Sequence, residues 1–394
     1  MKSGVSVVIP CLNEEASIAD VVKAACAGIA KLKCPGEVIV IDNGSEDRSA
    51  DLAAAAGARV VREDKCGYGS ALRKGFAVAK HDIIVMADGD MSYDLTRIDE
   101  MVAPICDDRA DFVVGNRMKG IHHGAMPKLH QYFGTPILTW VLRLMFGCKA
   151  IKDSQCGLRA IRKDAYIRLN CMTTGMEFAS EMIIKAILSN LRIGQQDIEY
   201  HRRAGVSKLR PLQDGWRHLR FMMLYVPSAT ILIPPLILWM LSMVALSLLL
   251  VGPVSVRSRQ FDLHSMVLIA LVNVVSMQIL TGGMMARIYA HLNGFKRDVL
   301  ITWFYNHFHF KTGVVASAVI LGLGLLGVGL GIAISPRIGL PNADAARVLL
   351  FGMCSVVNGL QLWLASYMTS IMALPRHADQ LPPGAENTGM VDVE

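Results

Sequence analysis

What the chain lacks narrows it first. Its nine cysteines, Cys11, Cys26, Cys34, Cys66, Cys106, Cys148, Cys156, Cys171 and Cys354, form no C-x-x-C pair and no zinc spacing. That leaves free, buried thiols in a reducing compartment. No Walker A sequence is present, and no G-x-G-x-x-G follows the first strand-like run. A nucleotide held here would therefore need a metal and cations rather than a glycine-rich phosphate loop. The opening stretch "MKSGVSVVIPCLNEE" has only a short apolar run before polar residues, so no cleavable signal is expected and the first half should stay in the cytosol. Charge is scarce in four stretches beyond about residue 222: Tyr225–Gly252, Leu263–Ala286, Gly313–Ser335 and Val348–Leu374. Each reaches the roughly 20 residues that cross a bilayer core.

The rest of the composition fits that division. The chain has 394 residues, 53% of them hydrophobic, with a mean hydropathy of +0.39, high for a soluble protein and long enough for two or three domains. Four crossings place both ends of the chain on one side. Arg287, Lys296, Arg297 and Lys311 after the second crossing mark the cytoplasmic face, although Arg257 and Arg259 in the opposite loop weaken that count. The run "GLGLLG", Gly322 to Gly327, matches a dinucleotide pattern but follows no strand. Small residues that let membrane helices approach explain it better. Asn273, Gln278, Asn358 and Gln361 within the crossings are expected to bond between helices.

Up to about residue 222, strand and helix patterns alternate. "VSVVIP", "EVIVID", "ARVVRE", "DIIVMAD" and "DFVVGN" read as strands, with helices near 15–31, 48–56, 69–80 and 95–106. Continuous Val/Ile runs between helices predict an α/β domain with a mostly parallel sheet covered on both faces. Ligands bind such sheets at the carboxyl ends of the strands. Three strand ends carry polar clusters: "PCLNEE", "DNGSED" and "DGD". Asp42 or Glu14 can accept hydrogen bonds from a base or ribose. Asp88 and Asp90 point to one side if the strand persists. Two such carboxylates call for a cation between them, and Mg²⁺ suits a site shared with a diphosphate. A plain Asp-Gly turn is the other reading. Arg117 in "GNR" is placed to reach phosphate oxygens.

In order along the chain, "VVIPCLNEE", "DNGSED", "GYGSALRKG", "DGD", "GNR", "DSQCGLRA", "GMEFASE" and "YHRRAGVSKL" resemble the family 2 glycosyltransferases of the GT-A (Rossmann-like) fold. Within them the set is similar to polyprenyl-phosphate glycosyltransferases, the dolichol-phosphate mannose synthase and GtrB type. The resemblance spans about residues 4–225. It implies that Pro10, Asn13, Glu14 and Asp42 hold the nucleotide, that Asp88 and Asp90 serve the base and a Mg²⁺ or Mn²⁺ ion, and that Arg117 serves phosphates. Asp153 falls where the family has an active-site acid; orientation is its expected role, with base action a second one. Many relatives have Gln two residues after the D-x-D, where this chain has Ser92, which puts the metal's inner shell in doubt. "QDGWR" is not the Q-x-x-R-W of processive members, so transfer of one sugar is expected. Arg202, Arg203, Lys208 and Arg210 around Gly205 read as a loop that closes on lipid phosphate and donor diphosphate, with Arg203 and Lys208 as its catalytic cations; a solvated juxtamembrane basic face is the other reading. Glu177 and Glu181, four apart, should share a helix face, one of them partnering Arg159 or Arg162.

The resulting expectation is an inverting hexosyltransferase that moves one sugar from a nucleotide sugar, UDP-glucose-like first and GDP-mannose second, to a polyprenyl phosphate. A lipid-sugar transport or flippase-associated protein with a vestigial nucleotide domain, and a nucleotidyltransferase, are the rivals. The intact acidic strand ends argue against the first, and the missing glycine-rich loop against the second. The layout is a catalytic domain over 1–210, an amphipathic interfacial helix over 211–224, four transmembrane helices over 225–375 with a second interfacial segment near 298–311, and a disordered tail over 376–394. Leu212, Trp216, Leu219 and Met223 form the apolar stripe of the first interfacial helix, with Arg217, His218 and Arg220 off it; a helix packed on the catalytic domain is the other reading of each interfacial segment. The expected partners are nucleotide sugar, polyprenyl phosphate, the membrane and a second copy of the chain, with no nucleic acid. The expected location is a bacterial inner membrane with the catalytic domain and both termini cytoplasmic.

Overall fold

The computed structural model describes residues 4–148, 150–205, 211–226, 228–292, 299–307, 310–334 and 343–372. Lys208 and the tail over 376–394 lie outside them. The chain divides into two compact units, Met1–Val226 and Pro227–Glu394.

The first unit is a seven-stranded sheet with helices on it. The strands are β1 (Val5–Cys11), β2 (Gly36–Asp42), β3 (Arg59–Arg62), β4 (Ile83–Met86), β5 (Phe112–Ile121), β6 (Arg159–Arg162) and β7 (Ile193–Tyr200). The helices are α1 (Ile18–Lys31), α2 (Ser49–Ala55), α3 (Tyr68–Val78), α4 (Ile98–Cys106), α5 (Thr135–Phe146), α6 (Lys163–Leu169), α7 (Phe178–Leu188) and α8 (Pro211–Tyr225). The spatial order is β3-β2-β1-β4-β6-β5-β7. Only β6 runs against its neighbours, β4 and β5; the other pairings are parallel. The mostly parallel sheet expected from the Val/Ile runs is thus present. Val5, Val7, Val8 and Ile9 of β1 and Ile39, Val40 and Ile41 of β2 are fully buried, as strands covered on both faces require.

This order positions the site. The chain steps outward from β1 through β2 to β3, then returns to lay β4 on the other side of β1. The reversal opens a crevice outside the carboxyl ends of β1 and β4, where such sheets take ligands.

The second unit is helical: α9 (Ser228–Val251), a small hairpin of β8 (Val254–Val256) and β9 (Arg259–Phe261), α10 (Leu263–Leu292), α11 (Val299–His307), α12 (Phe310–Ile334) and α13 (Ala343–Met372). Among the described residues, four helices are long and apolar enough to cross a membrane: Ser228–Val251, Leu263–Leu292, Lys311–Ile334 and Ala343–Met372. Leu232, Ile288 and Ile301 form one of its cores, which joins α11 to α9 and α10. The "GLGLLG" run lies in α12 and packs on α13. A Cβ on Gly324 would stand 2.6 Å from the Val356 backbone nitrogen, and one on Gly352 would stand 2.6 Å from that of Val328. Glycine is what lets these two backbones touch. Asn273 donates to Ser242 Oγ (2.8 Å) and accepts from Asn358 Nδ2 (2.6 Å), which ties α10 to α9 and α13.

Candidate active site

β4 ends at Met86, so Asp88 and Asp90 stand on a turn rather than on a continuing strand. They nevertheless face one another electrostatically. Asp88 accepts a hydrogen bond from the Tyr68 hydroxyl (2.9 Å). Burial, reinforced by the Asp90 charge, pushes its carboxyl up to about 6. Asp90 Oδ1 accepts the Ser92 amide (3.0 Å), and its other oxygen holds the Arg203 guanidinium. Ser92 itself is buried beneath the turn. Two carboxylates close enough to raise a proton affinity, one of them lacking an ion-pair partner among the described residues, are a hard oxygen donor set that fits a divalent ion.

The segment after β7 lies on this turn. His201 N–H donates to the Ser92 carbonyl (3.0 Å) and Ala204 N–H to the Asp90 carbonyl (2.9 Å). Gly205 adopts φ +96°, and a Cβ there would stand 3.9 Å from Glu14 Oε2. The backbone therefore brings Glu14, Asp90 and Arg203 to one place from three distant parts of the sequence.

Arg117, expected to present its guanidinium to phosphate, instead turns it inward. Nε and Nη2 grip Asp153 at 2.7 and 2.9 Å, and the guanidinium lies over the Tyr200 ring at 5.1 Å. Asp153 is 0% exposed. Desolvation alone would raise its carboxyl, but Arg117 and the Gln155 amide hold it below its ordinary range. This geometry suits orientation and leaves no free lone pair directed at solvent for base work. The next residues of the same motif complete the crevice. Gly157 N–H donates to the Tyr93 hydroxyl (2.8 Å), and a Cβ on Gly157 would strike Asp88 Oδ2 at 2.3 Å. Only glycine lets the segment leading into β6 approach the carboxylate this closely.

The remaining nucleotide-side candidates sit together at the ends of β1 and β2. Pro10 pairs in register with Ile41, within β1 and β2. Asn13, at φ +51°, donates its N–H to Ser45 Oγ (3.0 Å) and accepts the Glu46 amide (2.8 Å). Glu14 N–H donates to Ser49 Oγ (2.7 Å). Asp42 is buried and accepts the Ser45 amide (3.0 Å). The two loops are stitched into one wall. Asn43 extends it by bonding the carbonyls of Glu63 and Lys65 and the amide of Gly67. Sequence reasoning assigned no role to Asn43, Tyr68, Tyr93 or Gly157, although all but Tyr93 stand in quoted motifs.

The carboxylate pair on α7 differs from expectation. Glu177 lies at the N-cap, before the helix begins. Glu181 is buried and bonds Lys185 (2.8 Å) and the amides of Met172 and Thr173. Arg159 instead donates to the carbonyls of Cys156, Ala179 and Ser154, and Arg162 bonds Asp108. Backbone carbonyls of the turn before β6 and of the first turn of α7 take up the buried guanidinium instead of a carboxylate.

Two helices of this unit expose apolar faces. α8 buries His218, Phe221, Met222 and Tyr225 and turns Trp216 (64% exposed) and Met223 outward. His218, placed off the apolar stripe by sequence, is a packing residue hydrogen-bonded to Ser180 (2.8 Å). The helix is two-faced, packing on the domain with one side and presenting Trp216 and Met223 on the other. The second face was not anticipated. Leu129, Phe133, Ile137, Trp140 (61% exposed) and Leu144 line one side of the π-helical turn His130–Gly134 and of α5. The other side buries Leu142 and bonds Thr139 to Ser154 (3.0 Å). α5 and α8 contact each other.

Comparison with known proteins adds the following. Residues 6–169 match Glycosyl transferase family 2, and residues 284–373 match Glycosyltransferase family 2 C-terminal transmembrane region. The low-salt glycan biosynthesis hexosyltransferase Agl6 of Haloferax volcanii is 33% identical over 364 residues, covering 92% of this chain and 87% of that protein. The dolichyl-phosphate hexose transferase of the same organism is 27% identical over 211 residues, covering 53% of this chain and 88% of that one. Among solved structures, glucosyl-3-phosphoglycerate synthase from Mycobacterium tuberculosis with Mn²⁺, UDP and glucosyl-3-phosphoglycerate is 25% identical. It covers 57% of this chain and 78% of that one, with a TM-score of 0.44.

Proposed function

This chain belongs to glycosyltransferase family 2 and carries a membrane region, and on that premise we propose that it moves a single hexose from a nucleotide sugar to a polyprenyl phosphate at the cytoplasmic membrane surface, with inversion. The observation that carries the reading is the crevice at the ends of β1 and β4, where Asp88 and Asp90 meet Arg203 in a chain with four spanning helices. Lipid phosphate as acceptor is supported by the apolar faces of α5 and α8 and by the hexose transferase relative named for dolichyl phosphate.

The chemistry asks little of a base. A phosphate monoester has its second pKa near ~6 and is largely ionised at neutral pH. Its oxygen forms the new bond to the anomeric carbon as the bond to the nucleotide diphosphate breaks, and single displacement inverts that carbon. Positioning and charge stabilisation then dominate. Asp88 and Asp90 would hold a Mg²⁺ or Mn²⁺ ion, which supplies neutralisation of the departing diphosphate. Pro10, Asn13, Glu14 and Asp42 form the wall for base and ribose. Arg203 and, farther along, Lys208 supply positive charge to the phosphates. The Arg117–Asp153 pair fixes Tyr200 and the root of that segment, so both act as positioning residues.

UDP-glucose is the first donor to test, with GDP-mannose second. Membranes containing the chain are incubated with labelled nucleotide sugar and polyprenyl phosphate, and the lipid is extracted. Label in the lipid that depends on added polyprenyl phosphate supports the reading. Label confined to water-soluble products rejects the lipid acceptor.

A further inference from the structure

Beside the crevice, at the ends of β5 and β7, three side chains converge that the transfer reaction does not use. Glu199 and His201 are two apart, so they project to the same side of the extended chain, opposite Tyr200. β5 runs parallel beside β7, with Gly120 opposite Glu199 and Ile121 opposite Tyr200. His122 N–H donates to the Tyr200 carbonyl (3.0 Å), which sets the His122 ring beside the other two. His122 Nε2 lies 3.3 Å and His201 Nε2 3.5 Å from the same oxygen, Glu199 Oε2. All three donor atoms lie within 4.8 Å of one another. The imidazoles stack at 4.3 Å with 26° between planes.

We propose that His122, Glu199 and His201 form a second divalent-metal site, distinct from Asp88 and Asp90 and suited to a borderline transition metal, Zn²⁺ foremost. The donor spacing carries the argument. Zinc bonds N and O ligands at about 2.0–2.1 Å, so neighbouring ligands of a tetrahedral ion stand about 3.3–3.4 Å apart. Two edges here already have nearly that length. Two imidazoles and one carboxylate are a zinc donor set that leaves the fourth position to water or a ligand. They discriminate against Mg²⁺, which prefers oxygen in octahedral array. The carboxylate is also oriented from behind. Its other oxygen, Oε1, faces Arg97 at 3.5 Å, and Arg97 is held by Glu100 at 2.6 Å. Such outer contacts fix ligand orientation in metal sites. The three side chains are between about a third and a half exposed, so an ion reaches them from solution.

The consequence is a clasp. His201 opens the segment that lays Ala204 on the Asp90 carbonyl and Arg203 on its carboxylate. An ion bridging His201 to His122 pins the root of that segment to the end of β5.

The test uses the full chain in detergent, stripped with chelator and carrying Asp90→Asn to weaken the other site. Zn²⁺ is titrated calorimetrically, and Co²⁺ is added as a spectroscopic probe. One equivalent of Zn²⁺ per chain is expected, together with the absorption of tetrahedral Co²⁺, which Zn²⁺ displaces. His122→Ala or His201→Ala should weaken binding by about a hundredfold, at least what an outer-shell loss costs, and should erase the Co²⁺ band. Glu199→Gln should weaken it while keeping the side chain's shape. If circular dichroism shows an alanine variant to be unfolded, His122→Gln carries the same comparison. No Zn²⁺ binding in the Asp90→Asn chain, or equal binding in the His122→Ala/His201→Ala chain, overturns the site and restores a plain hydrogen-bonded cluster. The readout does not depend on sugar transfer.

Discussion

The strand-end crevice and the interior of the helical unit both bury polar side chains, and they differ in how far those side chains are neutralised. In the crevice the buried groups are charged and only partly neutralised: Arg203 answers Asp90, Arg117 answers Asp153, and Asp88 has a tyrosine hydroxyl and a raised proton affinity. In the helical unit Ser242, Asn273 and Asn358 are neutral and bond one another across three helices, the buried Arg347 is answered by both Asp262 and Asp344, and glycines bring two backbones into contact. A charge left short of a partner in low dielectric is costly. Such a cost persists where a ligand relieves it. The first region therefore reads as a binding site and the second as adhesive between helices.

The comparison is broken most directly at Asp90. Asp90→Asn should lower transfer by about three orders of magnitude, roughly 4 kcal/mol at the transition state, while thermal unfolding stays near that of the unaltered chain. Activity near wild type in that variant, with chelator also harmless, would return the D-x-D to the status of a turn.

A smaller effect follows from pH. The Asp88 carboxyl sits at about 6 against an ordinary 3.8, so it takes up a proton as pH falls through about 6. A cation or its donor complex needs the carboxylate, so metal-dependent donor binding should weaken below that point, approaching about tenfold per pH unit. The sign for folding is the reverse: this group favours the folded chain most below 3.8 and least above about 6. Calorimetric donor titrations between pH 5 and 8 (roughly the range where stability is ordinarily greatest) check it. Affinity that is flat across that range removes Asp88 from the site.

The apolar faces lie between the two regions in character. Trp140→Glu or Trp216→Glu should slow reaction with bilayer-embedded acceptor several-fold and leave a short, water-soluble acceptor unaffected. Unchanged ratios of the two rates would mean these faces do not meet lipid. The smallest effect belongs to the helical unit. Asn273→Leu should cost about 0.6 kcal/mol, the average for such bonds in membranes, read as a slight fall in melting temperature without loss of donor binding. A loss of transfer comparable to that of Asp90→Asn would end the distinction.

Local pattern carried much of this. Apolar length marked the four helices, Val/Ile runs marked β1, β2 and β4, and the missing phosphate loop with three acidic strand ends marked the crevice, because each is written in adjacent residues. The face of α5 was also written that way, as Leu129, Phe133, Ile137, Trp140 and Leu144 at helical spacing. What neighbours in sequence could not decide was partnership. Arg117 turned to Asp153, 36 residues on, because a buried guanidinium takes whichever carboxylate the sheet places beside it. His218 left the polar face for Ser180 because α8 has a second helix beneath it. His122 met Glu199 and His201 only because β5 and β7 are neighbours in space. Composition and periodicity set which groups exist and which elements carry them. The strand order set which charges had to share a low-dielectric space, and that is a property of distances the linear chain does not contain.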